Sequence, residues 1–476
     1  MKRLRAVAFG SALAALAGCA TGPDYVRPEV EIPAAFKEAG NWKVAEPSDH
    51  LPRGKWWEVF GNAQLNELLE QVEISNQNVH VAEAQYRQAL ALVDSAYAAL
   101  FPSLTGNVSV TRSRSPAGLV GGTTAGRTIV NRSATIEASW ETDLWARLGR
   151  AVEANAAGAQ ASAANLAGAR LSAQATLAQN YFQLRVLDAQ KQLLDETIAA
   201  YRKSLELTKN RYAVGVAARA DVVQAETQLE STRAQAIDLD VQRSQFEHAV
   251  ALLVGKPPAS FSIAPAPLAA RLPKVPPGLP SALLERRPDI AAAERQVAAA
   301  NAQIGVNQAA FFPSLTLSAS TGSRSADAAQ WFAAPSRLWS FGPALAQAIF
   351  DAGRRRALTN QAIAAHDASV AAYRQTVLVG FQEVEDNLAA LRILEEESQV
   401  QDVAVRLARD SVVLTTNQYK AGTVSYLNVV TAQATQLANE RAAAAILGRR
   451  LSAAVLLIKA LGGGWEALEL PHPDRR

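Results

Sequence analysis

One cysteine stands in 476 residues, Cys19. A lone cysteine excludes a disulfide within the chain and any cysteine-based metal site. Histidine is almost as sparse: His50, His80, His248, His366 and His472 are scattered without the spacing of metal ligands. No Gly-x-Ser-x-Gly elbow frames the plentiful serines. The glycines at 462–464 lack the Lys-Ser/Thr that a phosphate loop needs. Acid runs such as Glu395-Glu396-Glu397 read as a wet helix face. No enzyme is expected. Long apolar runs are missing too, since no tract holds 18 uncharged apolar residues, and a membrane-spanning helix is thereby excluded.

Charge of one sign is also lacking. The formal +3 comes from Lys2, Arg3 and Arg5, which open a secretory-type leader followed by the short apolar stretch 6–15. Residues 1–18 hold no acid, so removing them leaves a mature chain near neutrality, without the field of a nucleic-acid binder. Leu16-Ala17-Gly18-Cys19 resembles the lipobox of bacterial lipoproteins. That pattern implies cleavage before Cys19 and a covalent lipid there, S-diacylglycerol plus N-acyl (palmitate among the acyl chains), with no other cofactor. Ala20 in place of Asp implies release to the outer membrane. Several acyl chains anchor far more firmly than one.

Proline is absent from 53–101, 117–256, 289–312 and 344–470, yet nine prolines crowd 257–288. Because proline breaks helices and central strands, these four tracts, rich in Ala, Leu, Gln, Glu and Arg, are predicted long helices. The longest run about 151–213 and 354–420, up to Gly215 and Gly422. At ~1.5 Å per residue each reaches roughly 95 Å, a length suited to a bundle rather than an ordinary globule. Ala151, Ala154, Ala161 and Ala164, with Ala357, Ala364, Ala368 and Ala371, allow close helix approach. Gly462 suits a helix C-cap, and Asn78 and Asp289 are N-cap types.

The chain is one unit written twice. Phe101-Pro102-Ser103-Leu104-Thr105 returns 211 residues later as Phe312-Pro313-Ser314-Leu315-Thr316, and 78–105 matches 289–316 with 12 identities in 28. A second match, 207 residues apart, pairs Tyr212, Gly215, Asp221 and Val222-Val223 with Tyr419, Gly422, Asn428 and Val429-Val430. Between the helices the period changes to 2. Leu104, Gly106, Val108 and Val110 alternate with Thr105, Asn107, Ser109 and Thr111, and Ala134, Ile136, Ala138 and Trp140 with Thr135, Glu137, Ser139 and Glu141. Leu315, Leu317 and Ala319 alternate with Thr316, Ser318 and Ser320, and 338–345 forms a weaker strand with Trp339 and Phe341 on one side. The connections 113–127 and 321–336 read as loops. Such strands match transmembrane β-strands; a soluble hairpin with one wet face shows the same alternation. The lipid anchor and the long helices favour the membrane.

Four strands cannot close a barrel, and an open edge in lipid leaves backbone groups unpaired. Two copies would give a plugged eight-stranded barrel and three a twelve-stranded one with a wider lumen. A conduit uses both halves of the chain.

At this point the resemblance to a family is specific. Gly22-Pro23-Asp24-Tyr25 follows the cysteine, Trp56-Trp57 with Phe60 precedes the first helix, and Leu279-Pro280-Ser281 leads to Leu284-Glu285-Arg286-Arg287-Pro288-Asp289-Ile290. The segments 144–150 and 349–356 resemble repeated strand-to-helix junctions, and Lys459-Ala460-Leu461-Gly462-Gly463-Gly464-Trp465 a last helix end. Together they resemble the outer membrane factors, TolC-like exit ducts of tripartite efflux pumps, in their lipoprotein (NodT-type) branch. The resemblance implies an α+β membrane protein: a homotrimer with a twelve-stranded β-barrel, a twelve-helix periplasmic α-barrel and a mixed equatorial domain. It divides the chain into a signal peptide (1–18), a lipidated segment (19–61), a first repeat (62–255), a Pro-rich linker (256–280), a second repeat (281–465) and a tail (466–476). The turns around Gly215 and Gly422 would be the periplasmic gate and adaptor contact, with Arg211, Tyr212, Arg219, Asp221, Tyr419 and Tyr426 as candidates. Thr423-Val424-Ser425 replaces the acid that relatives often carry after the second tip glycine, so no acidic ring is expected there. Arg147, Arg150, Arg354, Arg355 and Arg356 lie at the junctions, where they could meet lipid headgroups or bridge protomers.

The implied function is passive export of drugs or other small molecules across the outer membrane. The implied partners are outer membrane lipid, a periplasmic adaptor (membrane fusion protein) and an inner-membrane pump of the resistance–nodulation–division type. Type I protein secretion and metal-ion efflux use similar ducts. A periplasmic adaptor lipoprotein is the reading from a different class, although it lacks duplicated amphipathic strands.

Overall fold

The computed structural model describes residues 21–39, 55–114, 128–268, 272–273 and 283–465. Helices α1 (Ala63–Ser75) and α2 (Gln77–Ala98) lead into strands β1 (Ser103–Arg114) and β2 (Thr128–Thr142). Then come α3 (Arg147–Ala213) and α4 (Arg219–Leu253). After the linker and a helical turn at Leu283–Arg286, the second unit repeats the order: α5 (Pro288–Ala309), β3 (Ser314–Ser325), β4 (Arg337–Ala346), α6 (Arg354–Lys420) and α7 (Tyr426–Ala460). Lengths repeat as well. Helices α3 and α6 each have 67 residues, α4 and α7 each 35, and α2 and α5 each 22.

The strands form one antiparallel sheet in the order β1-β2-β3-β4. Phe101-Pro102 and Phe312-Pro313 stop their helices because proline cannot continue the backbone ladder, and the strands begin directly after. The sheet reaches further than the predicted loops allowed. Strands β1 and β3 extend into 113–127 and 321–336, since Arg114 pairs with Thr128 and Arg132 with Ser325; the ladder itself orders these polar residues.

The core sits midway along the molecule, where α1, α5 and the helix ends gather on α3 and α6. Trp56, Trp57 and Phe60, in a 3-10 turn, are all buried against it, with the two indoles edge-on at 5.8 Å. Each such aromatic pair adds about 0.5–1.5 kcal/mol beyond its buried area. Close to this core, Asp188 takes Arg185 and Arg243 at 2.7 Å each, while their guanidinium groups also donate to the carbonyls of Ala264 and Ile263. This network binds the linker to the repeat.

Helix ends show the local chemistry. Gly215, Gly255, Gly422 and Gly462 all take positive φ. At each, the next residue's N–H donates to a carbonyl five residues back, for example Val216 to Arg211 at 2.8 Å and Thr423 to Gln418 at 3.0 Å. This is the Schellman closure, which a residue without a Cβ permits. The predicted N-caps Asn78 and Asp289 require correction. Asn76 caps α2, accepting from Asn78 and Val79 at 3.0 and 3.1 Å. In α5 the cap position is Arg287, held extended before Pro288, and Asp289 instead binds the Arg287 guanidinium at 2.6 Å. Helix α3 also starts at Arg147, ahead of the predicted 151, because Asp143 accepts from the N–H groups of Leu148 and Gly149 at 2.8 and 2.7 Å.

Among the described residues no helix is long and apolar enough to cross a membrane.

Candidate functional site

The register sorts side chains onto two faces. Leu104 lies opposite Ala138, Ala138 opposite Ala319, and Ala319 opposite Phe341. One face therefore carries Leu104, Val108, Ile136, Trp140, Leu317, Trp339, Phe341 and Leu345. Many of these are widely exposed in the single chain, Trp339 at 80% and Val108 at 76%. A large exposed apolar patch on one side of a sheet is costly in water; in lipid it is stable. The other face is small and polar: Thr105, Asn107, Glu137, Ser139, Thr316, Ser318, Ser320 and Ser340, with Ser320 and Ser340 hydroxyls 2.8 Å apart. Among the described residues, strands β1 and β4 each pair on one side only.

Below the sheet, the junctions hold their arginines within the chain. Arg147 is bidentate on Glu141, at 2.8 and 2.9 Å, and Arg355 binds Asp351 at 2.6 Å. That hydrogen bond holds the Asp351 carboxyl below its ordinary range. Arg150 is buried, binding Asp24 and Glu153 at 2.8 Å each. Arg354 and Arg356 remain exposed. The segment following Cys19 is clasped here too. Thr21 Oγ1 donates to the Trp145 carbonyl at 2.8 Å, Arg150 Nε donates to the Thr21 carbonyl at 3.2 Å, and a Cβ on Gly22 would fall 2.4 Å from Gly305 Cα. Trp145 stacks on Phe312 at 4.6 Å. Cys19 itself lies outside the described residues.

At the far end the two repeats meet at their turns. Tyr419 and Tyr426 are buried with ring centroids 5.4 Å apart. The Arg211 guanidinium lies over the Tyr419 ring at 4.8 Å and donates to the Lys420 carbonyl at 3.2 Å. A cation over a ring is worth about 0.5–2 kcal/mol. Burial, with neighbouring Tyr419 adding to it, pushes the Tyr426 phenol up to about 12. Of the predicted tip residues, the structure brings Arg211, Tyr419 and Tyr426 together. Gly215 and Gly422 shape the turns at φ 77 and 80. Asp221 accepts from the Ala218 N–H at 3.3 Å, and Tyr212 and Arg219 are exposed. The sequence reading missed Thr208, whose hydroxyl is 3.4 Å from the Tyr419 hydroxyl, and the apolar floor of Ala225, Val429 and Val430. Tyr201, Leu205 and Thr208, at steps of four and three, give the helical signal that would have found this face.

The chain matches the family model described as "Outer membrane efflux protein" over residues 68–256 and 279–463. It is 33% identical to the toluene efflux pump outer membrane protein TtgC of Pseudomonas putida, covering 94% of this chain and 93% of that protein. It is 32% identical to the pyoverdine export outer membrane protein OpmQ of Pseudomonas aeruginosa, covering 96% of each. Among solved structures, the outer-membrane channel OprN superposes with a TM-score of 0.86 at 30% identity, over 94% of this chain and all of that one.

Proposed function

On the premise that this chain belongs to the outer membrane efflux protein family, we propose that three copies close one pore whose periplasmic turns are opened by a docking adaptor. The chain is an outer membrane exit duct of a tripartite efflux system. The observation that carries the proposal is the four-stranded sheet, apolar on one face and polar on the other, with both edges unpaired among the described residues. Three sheets joined edge to edge give a closed barrel, which leaves no backbone group unpaired in lipid. Helices α3 and α6, at 67 residues each, extend the wall by about 100 Å.

Cys19 carries the lipid anchor in this reading. Support comes from the clasp on Thr21 and Gly22, which holds the chain two residues beyond it at the foot of the sheet. Energy comes from an inner-membrane pump, of the resistance–nodulation–division type, reached through the adaptor. The cargo is small molecules, the class to which the toluene and pyoverdine named for two relatives belong.

The tip cluster holds the closed state: Arg211 from the first repeat clamps Tyr419 of the second. Purified protein in planar bilayers tests this. Wild type is expected to conduct weakly, and Arg211→Ala with Tyr419→Ala to raise conductance several-fold. Absence of conductance in both proteins, when barrel-like migration on gels confirms insertion, would refute the duct.

A further inference from the structure

Three of the four strands carry arginine toward the far end of their outward rows. On β1 the row runs Leu104, Gly106, Val108, Val110, Arg112, Arg114. On β2 it runs from Trp140 through Ile136 to Arg132 and on to Val130 and Thr128, and on β4 from Leu345 through Phe341 and Trp339 to Arg337. Register places all four arginines on the apolar face, at the end of the sheet away from the helices. Arg324, by contrast, lies opposite Ser133 on the polar face.

Among the described residues the strands place no Asp or Glu on that face. Asp327, in the β3–β4 loop, is turned to the Ala329 N–H at 3.0 Å. Arg112, Arg114 and Arg337 are exposed; among the described residues Arg132 donates to the Ala326 carbonyl at 2.7 Å and to no other group. A guanidinium has five donors in a fork that fits a phosphate two at a time.

Depth identifies the ligand. Ten residues separate Leu104 from Arg114, roughly 33 Å along the strand and about 25 Å across a membrane at a ~40° tilt. An outer-membrane apolar band is about 25 Å tall. Arg114 thus reaches the edge of the hydrocarbon, and the arginines set below it can extend their long side chains to that edge, with Trp339 and Phe341 following Arg337 down its row, as interfacial aromatics do.

We propose that Arg112, Arg114, Arg132 and Arg337 form an outward basic girdle that binds the phosphate groups of the outer-leaflet glycolipid. The proposal rests on the barrel reading above, and in that assembly β4 of one chain and β1 of the next bring Arg337 and Arg112 into one belt.

The test uses full-length protein in vesicles containing bis-phosphorylated lipid A or its dephosphorylated form, followed by detergent extraction and mass analysis of co-purifying lipid. Wild type is expected to retain the phosphorylated lipid about tenfold better than the dephosphorylated one. The Arg112→Ala, Arg132→Ala, Arg337→Ala variant is expected to lose that preference. Added inorganic phosphate is expected to compete only weakly, because the lipid tail supplies part of the affinity. A variant with Arg354→Ala and Arg356→Ala, at the opposite membrane face, is expected to keep the preference. Equal retention of the two lipids by wild type, or an unchanged preference in the triple variant, would overturn the girdle. Conductance is measured on the same samples, so that a conducting protein without lipid preference separates failure of the girdle from failure of the duct.

Discussion

Gly462 has φ 92, and a Cβ there would lie 1.9 Å from the Arg286 carbonyl oxygen. Gly215 has a similar φ of 77 but nothing within 4 Å. The left-handed backbone alone costs an alanine about 1–2 kcal/mol, and overpacking against backbone adds roughly 1–3 kcal/mol. Gly462→Ala is therefore expected to lower the thermal midpoint clearly more than Gly215→Ala; equal shifts would show that the close approach to Arg286 carries no weight. These glycines were legible because glycine just after a run of helix formers has one common use. The N-caps were less so. Asn76 and Asn78 are both capping types, and what selects Asn76 is a tertiary partner, the Leu253 carbonyl 2.7 Å from its Nδ2. Arg287 gave no local signal either, since its partners Glu383 and the Ala460 carbonyl are 96 and 173 residues away.

At the scale of elements, the repeat read from residue identities reappears in the boundaries. Strands β1 and β3 begin 211 residues apart, and α3 and α6 begin 207 apart. Four residues are thus lost within the second hairpin and its exit, where loops tolerate deletion. Strand faces were legible because a period of 2 is strict; strand tops were not, because serine, glycine and arginine there look like loop until a neighbour pairs with them. The polar face carries two acids, Glu137 within β2 and Glu141 near its end, and Glu141 is already taken by Arg147. Glu137 makes no ion pair among the described residues; its one side-chain hydrogen bond is from the Thr135 hydroxyl at 3.4 Å. Glu137→Gln is expected to reduce the cation preference of the pore, read as a reversal potential moving toward zero in a salt gradient. A reversal potential identical to wild type would count against a carboxylate lining the lumen.

For the whole molecule, the need for partner copies followed from counting strands, whereas the meeting of the two turns needed coordinates, since Arg211 and Tyr419 are 208 residues apart. In the assembly proposed above, edge pairing and helix packing would hold the trimer, rather than a lipid on Cys19. Cys19→Ser is accordingly expected to abolish acylation while trimers still form, as seen in mass spectra and heat-modifiable gel migration; loss of the trimer would disprove that division of labour. The equal 67-residue reach of α3 and α6 has a last consequence. Both turns end at one depth, so three chains present six turns of like backbone but alternating chemistry. Arg211, Val216, Arg219 and Asp221 of one correspond to Gln418, Thr423, Tyr426 and Asn428 of the other. A partner that feels only shape would find six seats; one that reads charge would find three.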